Sequence, residues 1–326
     1  MATAFSPANS VTTTTAAKFI PQIWSDEIVA AYKKNLVLAN LIKKMSFKGK
    51  KGDTVHIPAP TRGSASAKAS TVAVTLIAAT ESEVQVSINK HYEYSRLIED
   101  IVEAQALSSL RNFYTEDAGY ALAPQVDTDL VQLGRAFNGA TVGTDDYATA
   151  TSSTKAYIGS DGTTAYNSST SNAAALTDAA IRRTIQRLDD NDVPMDGRFF
   201  IIPPSSRNTL MGLARYTEQA FVGDAGGGNT IRNGEIGNLY GIPVFVTSNA
   251  DTGAGTSGTD RICLMGHRDA MVLVEQVGIR SQTQYKQEYL GTLFTSDTIY
   301  GVKALRTAAS VGAATSSSAF ALAVPA

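Results

Sequence analysis

One long stretch with helical periodicity, residues 94–138, constrains the fold of this chain more than any other feature. Its apolar residues recur at steps of three and four from Leu107 to Phe137, which predicts a single amphipathic helix. We expect its other face to meet solvent or a polar neighbour, because that face carries Arg111, Glu116, Asp117, Gln125, Asp127, Asp129 and Gln132. The other segments should be organised around this helix.

The ends and the middle of the predicted helix carry recognisable signals. Ser95, or Ser108 further along, would cap its start, and Asn138 before a glycine would end it. Pro124 has no N–H to offer the carbonyl of Tyr120, and its ring crowds that carbonyl. We therefore expect one helix with a bend near Pro124.

The charge of the chain is low and unevenly distributed. Charged residues make up 18% of the 326 residues and the net charge is −2, so charge alone does not indicate a nucleic-acid binder. A low charge density suits a protein whose surface is largely covered by copies of itself. Residues 1–60 nevertheless hold eight lysines against three acids, which gives +5 there and −7 for the rest. The lysines at 43–51 fit a solvated patch, pairing with the acids of a neighbour, or a contact with nucleic acid.

The sequence lacks the patterns that catalysis or metal binding would require. His56, His91 and His267 form no HExxH pair, and Cys263 is alone, so we predict neither a zinc cluster nor an intrachain disulfide. Cys263 is expected to be a buried small hydrophobe. No GxSxG occurs, and the glycine-rich loop at 223–234 lacks the lysine of a phosphate-binding loop. We predict no enzymatic activity, no catalytic residue, no cofactor and no metal.

The first 45 residues resemble neither a signal peptide nor a compact domain. The opening MATAFSPANSVTTTT lacks a basic stretch and an apolar core. A basic and apolar helical segment follows, with Ser25 as a cap and an apolar set of Trp24, Ile28, Tyr32, Leu36 and Leu41. The segment is either an arm that lies on another molecule or a helix packed on its own domain.

Two strands joined by a long irregular tip are predicted next. The first covers residues 54–57 and should end at Pro58 and Pro60, and the second covers residues 84–88. The intervening segment, residues 61–80, is small and polar. A hairpin this thin is marginal in water and needs a partner surface.

The rest of the chain predicts an α/β lobe with insertions. A low-complexity surface insertion covers residues 138–175; within it AYIGSDGTTAY predicts a hairpin about Asp161, and solvated loop acids are favoured over a calcium site. The predicted helices are one capped by Thr177, one capped by Ser205 or Ser206, and one over 267–274. Strands are predicted at 198–202, 242–247, 261–265, 277–285, 289–295 and 298–305, before a small-residue tail at 312–326.

The order of these parts resembles the major capsid proteins of tailed bacteriophages, which share the Hong Kong 97-type fold. Seven segments carry the resemblance. IPQIWSDEIVAAYKKNLVLANLIKK resembles the family's arm, KKGDTVHIPAP and EVQVSINKHYEYSRLIED its extended loop, and EDAGYALAPQVDTDL its spine helix. GRFFIIPPSSRNTLMG and GEIGNLYGIPVFVTSN resemble parts of its axial domain, and EYLGTLFTSDTIYGVKALRTAA its closing segment. It spans about residues 20–314, apart from insertions at 138–175 and 251–260. These phrases are specific for the family and carry little information on any single residue.

The resemblance implies an α+β subunit with six parts. They are an N-terminal arm at 1–52, an extended loop at 53–93, a peripheral domain with the spine helix at 94–138 and 277–300, a surface insertion at 139–171, an axial domain at 172–276 and 301–314, and a C-terminal tail at 315–326.

The resemblance also implies a function and a set of partners. The chain would be a coat protein that self-assembles, as hexamers and pentamers, into the icosahedral head shell around the double-stranded DNA genome. DNA would be held on the inner face without sequence specificity, and scaffolding and portal proteins would take part, the scaffold as a separate protein. The chain would belong to the virion, with assembly in the host cytoplasm and no membrane contact. An encapsulin-type shell around a cargo enzyme stays open as the alternative, and a soluble hydrolase is less favoured.

Contacts between subunits are then expected along the arm, at the loop tip and on the spine helix. The arm's lysines would meet acids of a neighbour's spine helix, Asp127 and Asp129 among them. The expected contact residues are Trp24, Ile28, Tyr32, Lys33, Lys34, Leu36, Lys43, Lys44, Arg62, Lys68, Glu116 and Asp117. Lys68 is also suitably placed for the lysine–asparagine crosslink that some relatives form, but the sequence does not show the pairing.

Overall fold

The computed structural model describes most of the chain from Val37 onward. The described residues are 37–48, 51–60, 63, 65–74, 76, 81–101, 109–137, 156–167, 172–213, 237–254, 259–306 and 317–326. The expectations for Trp24, Ile28, Tyr32, Lys33, Lys34, Leu36, Arg62 and the glycine-rich loop lie outside these residues.

The described residues form four α-helices and thirteen strands. The helices are α1 (Leu38–Leu41), α2 (Ser109–Gln132), α3 (Asp178–Asp190) and α4 (Pro204–Met211). The strands are β1 (Lys43–Ser46), β2 (Thr54–Pro60), β3 (Glu81–Ser87), β4 (Lys90–Glu99), β5 (Tyr157–Ile158), β6 (Arg198–Ile202), β7 (Asn238–Leu239), β8 (Ile242–Val246), β9 (Thr252–Ala254), β10 (Thr259–His267), β11 (Met271–Lys286), β12 (Gly291–Ala304) and β13 (Ala319–Val324).

These strands build three sheets. A four-stranded sheet has the order β1-β11-β12-β4, with β1 parallel to β11 and the other pairs antiparallel. A seven-stranded sheet has the order β5-β13-β10-β6-β8-β7, with β9 beside β10. The hairpin of β2 and β3 forms the third sheet. The mixed helix and sheet content agrees with the predicted α+β class.

One apolar cluster joins the two large sheets. It contains Leu38 of α1, Leu130 of α2, Ile201 of β6, Leu273 of β11 and Tyr300 of β12, each at most 2% exposed. A second cluster packs α3 and α4 on the seven-stranded sheet. The end of α2 therefore lies where the two sheets meet.

The long helix is shorter than predicted at its start. Residues 94–99 belong to β4, which pairs with β12 over ten positions, so the prediction of helix there and of Ser95 as the cap was wrong. Alternate β4 residues from Lys90 to Tyr94 are half-buried and exposed, which is the pattern of a strand with one packed face. From Ser109 the helix continues as one element through Pro124, and a 3₁₀ turn follows at Leu133–Ala136.

The predicted polar face of α2 was wrong at two positions. Asp127 and Asp129 are 1% and 7% exposed. Both carboxylates accept hydrogen bonds from other parts of the same chain, and these bonds offset the cost of burying them.

The base of the predicted arm packs on its own subunit. Leu38 and Ile42 are buried in the cluster between the sheets, and β1 pairs with β11 from Lys43↔Val272 to Ser46↔Glu275. Of the two alternatives for this segment, packing on the same domain holds for residues 37–46. Lys43 and Lys44 are therefore strand residues of the subunit's own sheet.

The two strands of the predicted hairpin are confirmed, with a longer first strand. β2 continues through Pro58 and Pro60, which pair in register with Glu83 and Glu81. The prediction that the prolines end the strand was wrong, because a proline is tolerated in a strand where its missing N–H would point away from the partner.

Two segments predicted to lie outside the folded lobe contribute strands to it. Residues 156–167 form the predicted turn about Asp161, with a bridge between Tyr157 and Ala165, but β5 also pairs with β13 and Tyr166 is 1% exposed. The C-terminal segment was predicted only as a small-residue tail; instead every residue of β13 is buried, and β13 pairs with β10 over six positions. Both segments belong to the seven-stranded sheet.

Within the α/β lobe, the strand predictions were more accurate than the helix predictions. The Thr177 hydroxyl caps α3 by accepting the N–H of Ala180, as predicted. Pro203 rather than Ser205 or Ser206 precedes α4, and residues 267–274 are the end of β10, a 3₁₀ turn and the start of β11 rather than a helix. The two last predicted strands are one strand, β12, which keeps 301–304 in the four-stranded sheet.

Candidate assembly surfaces

The base of the β2–β3 hairpin is fixed to the four-stranded sheet by apolar packing. Val86 is fully buried with Val272 and Val274 of β11, and Val55 and Ile57 pack against them. At Gly301 of β12 a Cβ atom would lie 2.5 Å from the Ser87 carbonyl oxygen, so only glycine permits this close approach. The hairpin therefore leaves the body of the subunit in a defined direction.

The outer face of the hairpin carries a polar cluster. Nδ1 of His56 lies 2.9 Å from the Glu83 carboxylate, and the Gln85 amide donates to the same carboxylate at 2.7 Å. The hydrogen bonds from Gln85 and then His56 lower the pKa of Glu83 below its ordinary value. This exposed cluster links the two strands across the face opposite the apolar packing.

The hairpin tip exposes apolar side chains. Val72, Val74 and Leu76 are 59%, 68% and 89% exposed, and Lys68 is also exposed. The described tip residues form turns and irregular backbone, with no strand among them. Exposed apolar side chains close together in the sequence mark a site that another surface can cover.

A row of lysines follows the outer edge of the four-stranded sheet. Lys43 and Lys44 of β1, with Lys48 and Lys51 after it, are exposed. The Lys44 ammonium donates to the Asn40 side chain at 3.4 Å, a contact that leaves its charge accessible. The edge can bind an anionic surface electrostatically.

Asp127 fixes the point at which the N-terminal segment joins the body. Its carboxylate accepts the N–H groups of Leu38 and Ala39 at 3.0 and 3.2 Å and the Asn249 amide at 3.0 Å. Asp127 thus satisfies N–H groups at the start of α1 that the short helix leaves unpaired. The sequence signal was only an acid on α2, because its partners lie 89 and 122 positions away.

Asp129 is bound inside the subunit as well. It accepts the Tyr300 hydroxyl at 2.8 Å and the Gln125 amide at 3.1 Å, and the Lys90 ammonium lies 3.6 Å away. Burial, and then the bond to Asp129, raises the pKa of Tyr300. Neither Asp127 nor Asp129 is accessible to lysines of a neighbour, which contradicts that part of the prediction.

Glu116 and Asp117 remain nearer the surface of α2. Glu116 is exposed, whereas Asp117 is half-buried and accepts the Tyr94 hydroxyl at 2.9 Å. Arg96 lies over the Tyr114 ring at 4.7 Å and donates to the Tyr94 hydroxyl at 2.6 Å. Glu116 is therefore the more accessible of the two predicted contact acids.

The far end of the four-stranded sheet has a second exposed apolar surface. Tyr289 and Leu290, at the turn between β11 and β12, are 64% and 66% exposed, and Leu97 and Ile101 are 41% and 60% exposed. Closer to the body, Arg280 makes a two-point ion pair with Asp297 at 2.7 and 2.8 Å. Sequence reasoning missed this pair, because only the β11–β12 register brings the two residues together.

The histidines and the cysteine considered for catalysis have structural roles and do not come together in one site. His91 lies 3.3 Å from Asp297, and the His267 ring contacts the Asp196 carbonyl and accepts the Asp269 N–H. Cys263 is fully buried, as predicted, and burial raises the pKa of its thiol to about 12. Among the described residues, no group of three or more His, Cys, Asp or Glu side chains could hold a metal ion.

No helix in the described part of the chain has both the length and the hydropathy needed to cross a membrane.

Comparison with solved structures finds the same fold in phage particles. A structure of Mycobacterium phage Che8 aligns with a TM-score of 0.70 and 22% identity, covering 93% of this chain and 97% of that chain. The capsid structure of the cyanophage P-SCSP1u aligns with a TM-score of 0.69 and 18% identity, covering 99% of both chains. The capsid of Ralstonia phage GP4 gives 0.65 and 16%, covering 94% and 95%. The resemblance to the Hong Kong 97-type fold is confirmed.

Comparison of the sequence with protein families gives one assignment over most of the chain. No curated protein matches the sequence significantly. The family described as phage capsid protein matches residues 25–310, which include both large sheets up to the end of β12, the hairpin and α2. The chain belongs to the phage capsid protein family and is a structural component of the head shell.

Proposed function

We propose that copies of this chain self-assemble, as hexamers and pentamers, into an icosahedral shell that encloses the double-stranded DNA genome of a phage. The observation that carries the proposal is the hairpin tip, whose Val72, Val74 and Leu76 are more than half exposed although the hairpin base is firmly packed. A segment held away from its own subunit with apolar side chains exposed is stabilised by burial against a neighbour.

The parts of the subunit take the roles that the family resemblance implies, with revised boundaries. Residues 1–36 serve as the arm that reaches a neighbour, and residues 53–87 as the extended loop laid over the adjacent subunit. The four-stranded sheet with α2 as spine helix is the peripheral domain. The seven-stranded sheet with α3 and α4 is the axial domain at the centre of each capsomer.

The arm contacts a neighbour mainly through its apolar set. Trp24, Ile28, Tyr32 and Leu36 pack on another subunit, and Lys33 and Lys34 lie near the exposed Glu116 of its α2. Asp117 plays a smaller part, since it already binds Tyr94. Exposed ion pairs contribute about 0–1 kcal/mol each, so burial of Trp24 and the aliphatic residues dominates this contact.

The row of lysines along the outer edge of the four-stranded sheet faces the packaged DNA. Lys43 and Lys44 are held by β1 on the subunit's own sheet, which leaves them available to phosphates and not required for the arm contact. Four exposed lysines bind phosphates through charge and without sequence specificity. Replacing Lys43 and Lys44 by Gln should give normal shells with less DNA. Replacing Lys33 and Lys34 by Gln should weaken assembly mildly and make it less dependent on salt concentration.

The subunit acts as a structural protein, with assembly in the host cytoplasm alongside a separate scaffolding protein and a portal protein. The encapsulin alternative is not favoured, because the matching family is that of phage capsid proteins. Nuclease-protected nucleic acid inside purified shells, without a cargo enzyme, is the expected result that separates the two.

The test of the proposed function is assembly itself. The chain is expressed with its scaffold and followed by light scattering and electron microscopy, and closed shells of uniform size are expected. Discrete monomers under all conditions, with the scaffold present, would contradict the proposal.

A further inference from the structure

Three arginines of α3 differ in how their charge is balanced. The Arg182 guanidinium forms an ion pair with Asp178 at 2.9 Å. The Arg183 guanidinium donates instead to the side-chain oxygen of Gln186 at 2.8 Å, which carries no charge. Among the described residues, no acid forms an ion pair with Arg183 or Arg187. Two of the three charges therefore have no direct counter-charge in the described part of the subunit.

The Arg187 side chain is held over aromatic rings. Its guanidinium carbon lies 3.5 Å from the centre of the Tyr157 ring of β5 and 5.9 Å from the centre of the Phe320 ring of β13. A cation over a ring face is attracted by the electrons of the ring, so these contacts fix the position of the guanidinium. Because the N–H groups lie in the plane of the guanidinium, they stay available to an anion.

Each of these two arginines has a buried nitrogen without an acceptor. Nε of Arg183 and Nη1 of Arg187 are buried and make no hydrogen bond within the part of the chain that the structure describes. Nη1 of Arg198 lacks an acceptor as well, but the Arg198 guanidinium already binds the Asp189 carboxylate at 2.7 Å. Since buried polar groups are nearly always hydrogen-bonded, Arg183 and Arg187 together mark a place that suits an additional acceptor.

The spacing of Arg183 and Arg187 brings them to the same side of α3. Residues four positions apart are neighbours on a helix surface, and both side chains are half-buried, so a small ion can reach them. Burial lowers the pKa of Arg187, and the charge of Arg183 lowers it further. An anion that contacts both guanidinium groups offsets this repulsion and the cost of their burial.

An acid in the neighbouring turn does not balance the two charges. Asp161 is close enough to raise the pKa of Arg187, but its carboxylate accepts the N–H groups of Thr163 and Thr164 and the Thr164 hydroxyl. Two arginines against this one carboxylate leave a net charge of +1. The site therefore suits a group that carries at least one negative charge.

We propose that Arg183 and Arg187 of α3 bind a phosphate group. The planar fork of arginine matches the oxygens of a phosphate, and a phosphate has enough acceptor oxygens to bond both guanidinium groups at once. Its source is either a free phosphate ion or a phosphodiester of DNA, since both present the same charged oxygens. The site lies on the lobe of the seven-stranded sheet, apart from the row of lysines, and it does not depend on the proposed assembly.

Phosphorus NMR of inorganic phosphate, titrated with dilute subunits in chloride buffer of constant ionic strength, tests the site. The parent chain should broaden the phosphate signal in a saturable way. Arg183→Gln and Arg187→Gln should each weaken the fitted affinity by about tenfold or more, because each removes hydrogen bonds from a charged donor. Arg182→Gln, which removes an exposed arginine already paired with Asp178, is the matched control and should bind phosphate as the parent does.

The outcomes separate a defined site from general attraction of the ion. Absence of saturable binding to the parent, or equal losses in Arg182→Gln and Arg187→Gln, overturns the inference and leaves the proposed assembly intact. Arg187→Lys keeps the charge but lacks the planar fork, so it should also lose most of the affinity, and full retention would contradict the site. Circular dichroism checks that each variant is folded. If Arg187→Gln does not fold, Arg183→Gln, which leaves the contact with Tyr157 intact, gives the same test.

A short DNA duplex added to the phosphate-loaded subunit distinguishes the two sources. Release of the bound phosphate by the duplex supports the site and shows that a backbone phosphodiester occupies it. Retention of the phosphate at saturating duplex also supports the site and assigns it to the free ion. The measurement follows the signal of inorganic phosphate and not the binding of the duplex, because the row of lysines also attracts DNA.

Discussion

Carboxylates join parts of this subunit that lie far apart in the sequence. Asp127 connects α2 to the start of α1 and to Asn249 after β8. Asp251 forms a two-point ion pair with Arg135 at 2.7 and 2.8 Å, next to the end of α2. Since both acids are at most 8% exposed, loss of either leaves buried donors without partners. The relative placement of the two large sheets therefore depends on individual side chains near the end of α2.

Asp127→Ala should strongly destabilise the free subunit. It removes the acceptor of two backbone N–H groups and one amide, and the cost of leaving these donors unpaired is about 2–4 kcal/mol. Urea unfolding monitored by circular dichroism measures the change. Glu116→Ala, an exposed acid of the same helix, is the matched control and should change stability by less than about 0.5 kcal/mol. Equal effects would show that Asp127 does not anchor α1.

The Arg280–Asp297 pair should give the free subunit a dependence on acid pH. The hydrogen bonds from Arg280, and then from His91, lower the pKa of Asp297 below its ordinary 3.8. A carboxyl whose pKa is lower in the folded state stabilises the fold above its unfolded pKa and loses that contribution as pH falls. Asp297→Asn should therefore flatten the fall in unfolding free energy below about pH 4. An unchanged slope in urea titrations across that range would contradict this assignment.

At the scale of the elements, two sets of prolines are accommodated for different reasons. Pro58 and Pro60 occupy outward positions of β2, where the hairpin needs no N–H. Pro124 lies inside α2, which nevertheless continues as one helix, and the Thr128 hydroxyl donates to the Pro124 carbonyl at 2.7 Å. Neither set ends its element, so a proline alone is an insufficient boundary signal here.

Pro124→Ala should straighten α2 with little effect on subunit stability. Alanine can donate the N–H that proline lacks, so the unfolding free energy should stay constant or rise by about 1 kcal/mol. Ala121→Pro, a new proline at an exposed position of the same helix, should instead cost about 3 kcal/mol. Chemical denaturation measures both changes, and an experimental structure of the first variant measures the bend. A marked loss of stability in Pro124→Ala would show that the packing requires the bend.

Trypsin should cleave the hairpin tip after Lys68 in free subunits and spare it in shells. Lys68 is exposed on irregular backbone, and such segments are the usual sites of proteolysis. Lys303, paired in β12 opposite Val272, is the internal control and should resist cleavage in both states. Mass spectrometry of the fragments identifies the site. The same cleavage rate at Lys68 before and after assembly would rule out an intersubunit contact at the tip.

The sequence predicted elements with clear periodicity and missed those whose identity depends on distant partners. Alternation at Val84 and Val86 predicted β3, and a serine- or threonine-type cap with an apolar stripe predicted α3. β13 is buried throughout, so it lacks alternation, and its small residues follow a low-complexity segment. Asp127 reads as a surface acid because only folding brings Leu38 and Asn249 to it. Assembly contacts could be predicted only as segments, since the surfaces that they meet belong to other copies.

At the scale of the whole molecule, the subunit combines a packed body with a hairpin that extends from it. The body consists of the two large sheets and α2, joined by one apolar cluster. The hairpin is fixed at its base and exposed at its tip, and the chain before Val37 enters the body at α1. A closed shell needs contacts of this heterologous kind, in which one part of each copy meets a different part of the next.

Two N-terminal deletions should therefore have different effects. Deleting residues 1–36 removes the arm but keeps α1, β1 and the bonds to Asp127, so the subunit should stay folded and assemble poorly. Deleting residues 1–46 also removes the buried Leu38 and Ile42 and the strand beside β11. The loss of two buried aliphatic side chains alone costs several kcal/mol, so this subunit should be markedly less stable.

Circular dichroism with urea unfolding and electron microscopy of each deletion, co-expressed with the scaffold, give the two measurements. A folded 1–36 deletion that yields few shells would place the assembly contact in the arm, separately from the stability of the body. Normal shells from that deletion would refute the arm contact. Equal stability of the two deletions would show that α1 and β1 belong functionally to the arm, since their burial would then contribute nothing to the body.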